Sequence, residues 1–325
     1  MPDLIKSYQE VFNGYLKEKV RSSEPSGLYD PMCYILDLGG KRLRPVLTLI
    51  SASAFGINKD EALDAALAIE VFHNFTLLHD DIMDEAPLRR GQPTVHHKWD
   101  INTGILSGDA MLIYAYQLFE TYPEDIFKPL MQLFSQTARE VCEGQQYDMD
   151  FETREDVTIP EYMLMITYKT AVLVAAAMRM GAIIARTSEE NQKLIYDFGK
   201  NLGIAFQLQD DYLDAFGDPE TFGKQVGGDI IENKKTYLYL KARELASPEV
   251  ANDLDHLFSI KPKNPVGKIS TVLEIYRETG AAEATREAIA GYTRETFEVL
   301  ENLELTGDYK TLLRSFAENL MDRKV

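Results

Sequence analysis

The chain has 325 residues, 45% of them hydrophobic, and its 34 basic and 52 acidic side chains give a net charge of −18. That balance excludes a nucleic-acid binder, which needs a basic face against phosphates, and argues against docking on anionic lipid. Any anionic ligand must be met by a local group of Lys, Arg or metal.

From the N-terminus, Met1-Pro2-Asp3-Leu4-Ile5-Lys6 has no basic stretch leading into an apolar one, so no signal peptide is expected. Gly39-Gly40 breaks the chain, and Lys41-Arg42-Leu43-Arg44-Pro45 follows with three cations. Asn58 with Glu61 reads as an N-cap with its reciprocal partner. After it, Leu63, Ala66, Leu67, Val71, Leu78 and Ile82 recur at three and four residues, one face of a helix. Pro87 and Gly91-Gln92-Pro93 interrupt the pattern, which resumes over residues 104–119 and 130–147. Thr158 with Glu161 repeats the capping signal ahead of 161–185, and 189–213 runs up to the break at Gly217-Asp218-Pro219. Gly227-Gly228 is another break, followed by helical stretches at 235–245, 248–258, 266–277, 283–300 and 309–321.

The most apolar run, 171–185, is interrupted by Arg179 and falls short of the roughly 18–20 apolar residues of a membrane span, so no membrane insertion is expected. Cys33 and Cys142 show neither metal-ligand spacing nor a disulfide framework, which points to a reducing cytoplasm. There is no alternating strand run with hairpin signals. The expected fold is all-α, one domain over 1–325, a bundle of roughly ten or more helices around a central cavity.

Two carboxylate clusters stand out: Asp80, Asp81 and Asp84 in FTLLHDDIMD, and Asp210, Asp211 and Asp214 in FQLQDDYLD. On a helix, positions i and i+4 share a face about 6 Å apart. Like charges at that spacing repel, and both clusters fall near predicted helix C-termini, where the macrodipole also disfavours anions. A divalent cation reverses both penalties, and Mg²⁺ suits hard oxygen ligands shared with phosphate. A single such cluster reads as readily as a solvated acidic patch; two of them, each flanked by apolar helix, favour metal. The cations form a second theme. Lys41 and Arg44 follow the glycine pair, Arg89-Arg90 follows the first cluster, Lys169-Thr170 heads the apolar run, and Lys224 and Lys234-Lys235 follow the second cluster. These placements suggest two anion sites, one held through metal and one held directly.

The motifs GGKRLRP, HDDIMD, RRGQPTVH, Lys169-Thr170, FQLQDDYLD and FGKQVGGDIIENKKT, in this order over 39–236, resemble those of the all-trans isoprenyl diphosphate synthases, the polyprenyl synthetases. The resemblance implies that Asp80, Asp84 and Asp210 bind Mg²⁺, three ions per active site, with Asp81, Asp211 and Asp214 in the metal motifs. It implies that Arg89, Lys169, Lys224 and Lys234 contact the allylic diphosphate, and that Lys41, Arg44, His73 and Arg90 hold isopentenyl diphosphate without metal. Thr170 and Gln207 would lie beside the developing cation, and the enzyme would be a homodimer.

Phe75 and Phe72 lie five and eight residues before Asp80, and in the family a bulky side chain there acts as a floor that limits product length. Phe75 followed by small Thr76 resembles the geranylgeranyl-forming arrangement, so a C15–C20 product is expected, with C20 favoured over farnesyl diphosphate. Packing in the core is the competing account of both phenylalanines. A class I terpene cyclase would not need GGKRLRP or a second DDxxD. A non-catalytic subunit of a heteromeric prenyltransferase would typically lack the aspartates or the basic clamp.

Overall fold

The computed structural model of the protein describes residues 3–218 and 226–321. The expected all-α architecture is observed, with short 3₁₀ and π segments and one small β-ribbon. The described residues fall into two compact units: those of 1–135, 176–195 and 304–309, and those of 136–175, 196–303 and 310–325.

The first unit contains α1 (Asp3–Lys19), α2 (Ser26–Asp37), α3 (Leu43–Ala54), α4 (Leu63–Met83), α5 (Val95–Lys98) and α6 (Ile101–Gln117). Every side chain from Ala65 to Phe72 on α4 is buried, so this helix is apolar on all sides and forms the centre of the unit. Glu70, charged within that run, is neutralised by Arg42 at 2.5 Å. Glycines admit α6 closely: a Cβ on Gly104 would lie 2.8 Å from Ile82, and one on Gly108 would lie 2.2 Å from His79, both on α4. Asn58 and Glu61 form the expected capping box, which caps a 3₁₀ turn, Lys59–Ala62, leading into α4.

The second unit is built on the C-terminal part of α7 (Glu124–Thr153), α8 (Ile159–Ile166), a π-helical turn Thr167–Ala171, the start of α9 (Val172–Ile184), and most of α10 (Glu189–Phe216). Shorter helices follow from Gly228–Glu232 to Tyr309–Met321. Thr158 and Glu161 form a capping box on α8. The core collects Tyr162, Ile166, Leu208, Tyr212, Leu238, Leu254, Val272 and Tyr276. Gly199 and Gly203, one turn apart on α10, would place Cβ atoms 2.8 and 2.7 Å from the Cα atoms of Ala175 and Ala171, so these segments meet backbone to backbone.

The structure departs from the sequence reading in three of these elements. Leu88–Arg89 and Gln92–Pro93 pair as an antiparallel ribbon where no hairpin was expected, because Arg90 and Gly91 at φ 54° and 75° make the left-handed two-residue turn that two strand residues a side suffice to close. α7 begins six residues earlier than expected and contains Pro129. The helix that carries Lys235 in the sequence reading begins at Tyr237, with Thr236 as its N-cap. The helix expected over 161–185 is observed with nearly those bounds. It runs continuously over Ile159–Ile184, 26 residues, and by length and composition it meets the criterion for crossing a membrane. More than half of its most apolar stretch is buried inside the protein, as for a core helix.

Candidate active site

In the first unit, α4 ends at Met83 with Asp84 as its C-cap, so Asp80 and Asp84 occupy the last turn as the spacing predicts. Asp80 is partly buried and Asp84 is exposed. Asp81 points elsewhere. It is 3% exposed and paired with Arg89, whose Nε reaches both carboxylate oxygens at 2.9 and 2.8 Å and whose Nη2 lies 2.8 Å from Oδ1. The β-ribbon delivers Arg89 to this contact.

The glycine turn and the ribbon build a cationic group on the same unit. Gly39 and Gly40 adopt φ of 80° and 125°, and a Cβ on Gly40 would lie 2.8 Å from the Arg90 guanidinium. Arg90 donates to the Gly39 carbonyl. Of the three cations after the glycines, Arg42 turns inward, with φ 49°, to hold Glu70 and the Leu36 carbonyl. Lys41 remains exposed. Arg44 Nη1 donates to His73 Nε2 at 3.2 Å, which makes His73 the acceptor and therefore neutral. Burial, followed by the charges of Arg44, Arg90, Arg89 and Arg42, holds the His73 pKa well below 6.5. Arg44 Nε is buried and has no hydrogen-bond partner among the described residues. His79, further along α4, meets the Ile105 carbonyl at 3.3 Å and the Phe75 ring.

Phe75 and Phe72 belong to an aromatic layer. Their centroids are 5.6 Å apart, and Phe72 stands edge-on to Phe134 at 5.2 Å, which in turn touches Tyr116 and Phe119. Phe72 is fully buried and Phe75 is 8% exposed, so Phe75 is the outer member.

In the second unit, a cavity of about 680 Å³ is lined by Lys169, Thr170, Gln207, Asp211, Lys234 and Lys235, six residues singled out in the sequence. The π turn carries Lys169 and Thr170. A Cβ on Gly144 of α7 would come within 2.3 Å of the Lys169 backbone nitrogen, so that glycine admits the widened turn. Lys169 Nζ meets Asp148 at 2.6 Å. Thr170 Oγ1 donates to Gln207 Oε1 at 3.1 Å, Gln207 Nε2 donates to Asp211 Oδ1 at 2.9 Å, and the Tyr162 hydroxyl donates to Asp211 Oδ2. Like Asp81, Asp211 is the buried middle member of its cluster. Burial, with Asp229 and Asp210 nearby, raises its pKa to about 8 against the opposing hydrogen bonds. Asp214 accepts from the Asp229 backbone N–H at 2.9 Å, and its own carbonyl takes the Gly227 N–H at 2.6 Å. It thereby binds α10 to the segment that starts Gly228–Glu232. Asp210 lies partly buried on α10, outside the residues that line the cavity. Lys224 lies outside the described residues.

Asp148, which lines the cavity, escaped the sequence reading, since an aspartate outside any motif of a strongly acidic chain carries no signal; Asp229, which also lines it, lies within the motif FGKQVGGDIIENKKT but was not singled out. Among the described residues no three His, Cys, Asp or Glu side chains converge as a ready-made metal cage. Asp80 and Asp84, one turn apart at the end of α4, are hard oxygen donors of the kind that fits Mg²⁺, which takes one or two carboxylates and completes its shell with water and phosphate oxygens.

Residues 25–276 match the polyprenyl synthetase family. The chain is 37% identical over 325 residues to the geranylgeranyl diphosphate synthase of Methanosarcina mazei, covering 99% of this chain and 98% of that protein. It is 35% identical over 337 residues to the geranylfarnesyl diphosphate synthase of Natronomonas pharaonis, covering 98% and 96%. A solved geranylgeranyl pyrophosphate synthase is 57% identical, covers 99% of each chain and superposes with a TM-score of 0.95.

Proposed function

The chain belongs to the polyprenyl synthetase family and is an all-trans prenyltransferase; from that premise we propose that it condenses isopentenyl diphosphate with an allylic diphosphate, giving a C15–C20 product with geranylgeranyl diphosphate favoured. The observation that carries the reading is the cationic group around neutral His73. In a chain of net charge −18, Arg44 and Arg90 are held, among the described residues, by an imidazole and a carbonyl rather than by a carboxylate. Such a group suits a second diphosphate bound without metal, which ionisation of a single substrate would not require.

In this reading residues 1–325 act as one functional synthase domain. Asp80, Asp84 and Asp210 supply Mg²⁺ ligands, and Asp81, Asp211 and Asp214 hold the charges and backbone around them. Bound Mg²⁺, three ions in this reading, supplies positive charge to the leaving diphosphate. Arg89, Lys169, Lys224 and Lys234 neutralise the same group, so the allylic C1–O bond breaks toward a carbocation. The Thr170 and Gln207 dipoles, oriented by their chain of hydrogen bonds to Asp211, lie beside that cation. Lys41, Arg44, His73 and Arg90 orient isopentenyl diphosphate so that its double bond attacks. The proton lost afterwards passes to the departing diphosphate.

Phe75, with Phe72 behind it, sets the product length; overall similarity does not, since relatives named for C20 and C25 products are 37% and 35% identical to this chain. A homodimer is proposed through the exposed face of α6, and a cytoplasmic location accords with Cys33 and Cys142, which form no disulfide.

The test is to incubate the protein with Mg²⁺, isopentenyl diphosphate and dimethylallyl, geranyl or farnesyl diphosphate and to resolve the products by mass. The expected product is geranylgeranyl diphosphate; farnesyl diphosphate as the end product would select the shorter alternative. No condensation with any primer would favour a non-catalytic subunit. Phe75→Ala should lengthen the product, alone or with Phe72→Ala, and unchanged lengths in both would remove the floor.

A further inference from the structure

Lys268, on the helix Val266–Glu278, is a buried lysine that the proposed chemistry leaves unused. It is 5% exposed, and its ammonium donates to Asn233 Oδ1 and, at 3.0 Å, to the Ile260 carbonyl. Asn233 Nδ2 donates to the same carbonyl at 3.4 Å, closing a triangle that fixes the amide's orientation. The Phe258 ring lies 5.4 Å from the ammonium. Both acceptors are neutral oxygens, and a buried cation held by neutral oxygens is costly to keep. Its place in the fold therefore calls for an explanation.

Asn233 is the left-handed residue, at φ 64°, that ends the helix Gly228–Glu232, and Lys234 follows it. The Lys234 backbone N–H donates to the Asp229 carbonyl at 2.9 Å. On the other side, Lys235 Nζ donates to the Phe151 and Glu152 carbonyls, at 2.8 and 3.3 Å, in the last turn of α7. The turn is thus clamped by one lysine through the side chain of Asn233 and by another at Lys235. Asn233, Lys234 and Phe258 all line the cavity, so Lys268 stands directly behind its wall.

The geometry points to Lys268 as a positioning residue that, through Asn233, locks the left-handed turn presenting Lys234 to the allylic diphosphate. The inference rests on the proposed contact of Lys234 with that substrate. Removing the Lys268 ammonium frees the amide and loosens the turn, while the isopentenyl group around His73 keeps its geometry.

Lys268→Met, Asn233→Gly and the double variant are to be compared with the wild type, with circular dichroism and thermal melting to establish folding. KM is measured for isopentenyl diphosphate and for the allylic diphosphate that the wild type extends. Loss of a charge-assisted hydrogen bond at the turn should raise the allylic KM roughly tenfold and leave the isopentenyl KM within about twofold. Because both substitutions cut one link, the double variant should match the single ones. If Lys268→Met does not fold, Asn233→Gly, which keeps the left-handed conformation, carries the test. An unchanged allylic KM, an equal rise in both KM values, or multiplied effects in the double variant would overturn the inference. No condensation by the wild type would instead overturn the reading of the site.

Discussion

His73 shows how a single residue reports the state of its surroundings. It accepts a hydrogen bond from Arg44 and sits amid three more arginines, so its protonated form is disfavoured in the fold. The unfolded chain has no such constraint and protonates near the ordinary value of 6.5. As pH falls through that value, the unfolded state binds more protons than the folded one. Stability present above it is therefore lost below it, at about 1.4 kcal/mol per pH unit until the folded pKa is reached. Urea unfolding between pH 7.5 and 5 should show this slope in the wild type, and His73→Gln should be flatter by that amount. Parallel pH dependences would mean that His73 is not held neutral. A bound diphosphate would offset the arginine charges and raise the His73 pKa, so isopentenyl diphosphate should also flatten the wild-type slope.

At the level of elements, the π turn Thr167–Ala171 depends on neighbours that have given up their side chains. Gly144 on α7 and Gly203 on α10 face it, and a Cβ at Gly144 would meet the backbone at Lys169 and Tyr168, which cannot move aside as a flexible side chain can. Gly144→Ala should therefore cost about 1–3 kcal/mol by overpacking. It should also lower kcat/KM, because the displaced atoms carry Lys169. Gly291→Ala is the control: it lies within the helix Ala281–Asn302 with open space at its Cβ and should gain about 0.5–1 kcal/mol. Equal melting temperatures for the two variants would refute the packing argument. The same turn marks the limit of what sequence discloses. The carboxylate clusters, the capping boxes at Asn58 and Thr158 and the breaks at Gly39-Gly40 are legible because each depends on residues within one or two helical turns. The π turn depends on glycines about 25 and 35 residues away in sequence, and Arg42 is diverted by Glu70, so neither has a local signal. The pairing of Asp211 with Tyr162 is hidden for the same reason.

For the whole molecule, the uncovered face of α6 is the surface through which the homodimer is proposed. Gly104, Ser107, Gly108, Met111 and Ala115 are buried, while Ile101, Ile105, Leu106 and Ile113 are between 42% and 61% exposed. Spacings of four and eight residues put the three isoleucines on one side of the helix, in a stripe interrupted by Asp109. An apolar stripe matches itself across a two-fold axis, so a second copy is the partner its chemistry favours. Covering a half-exposed Ile or Leu contributes about 1 kcal/mol. Eight such side chains from two copies then supply about 8 kcal/mol, within the range of about 4–15 kcal/mol that association costs. With the balance this close, Ile105→Glu with Ile113→Glu should tip it, since each buried carboxylate adds several kcal/mol of desolvation. Sedimentation velocity at micromolar concentration should show a dimer for the wild type and a monomer with unchanged helicity for the double variant. A wild-type monomer, or a variant that sediments with the wild type, would remove α6 as the interface.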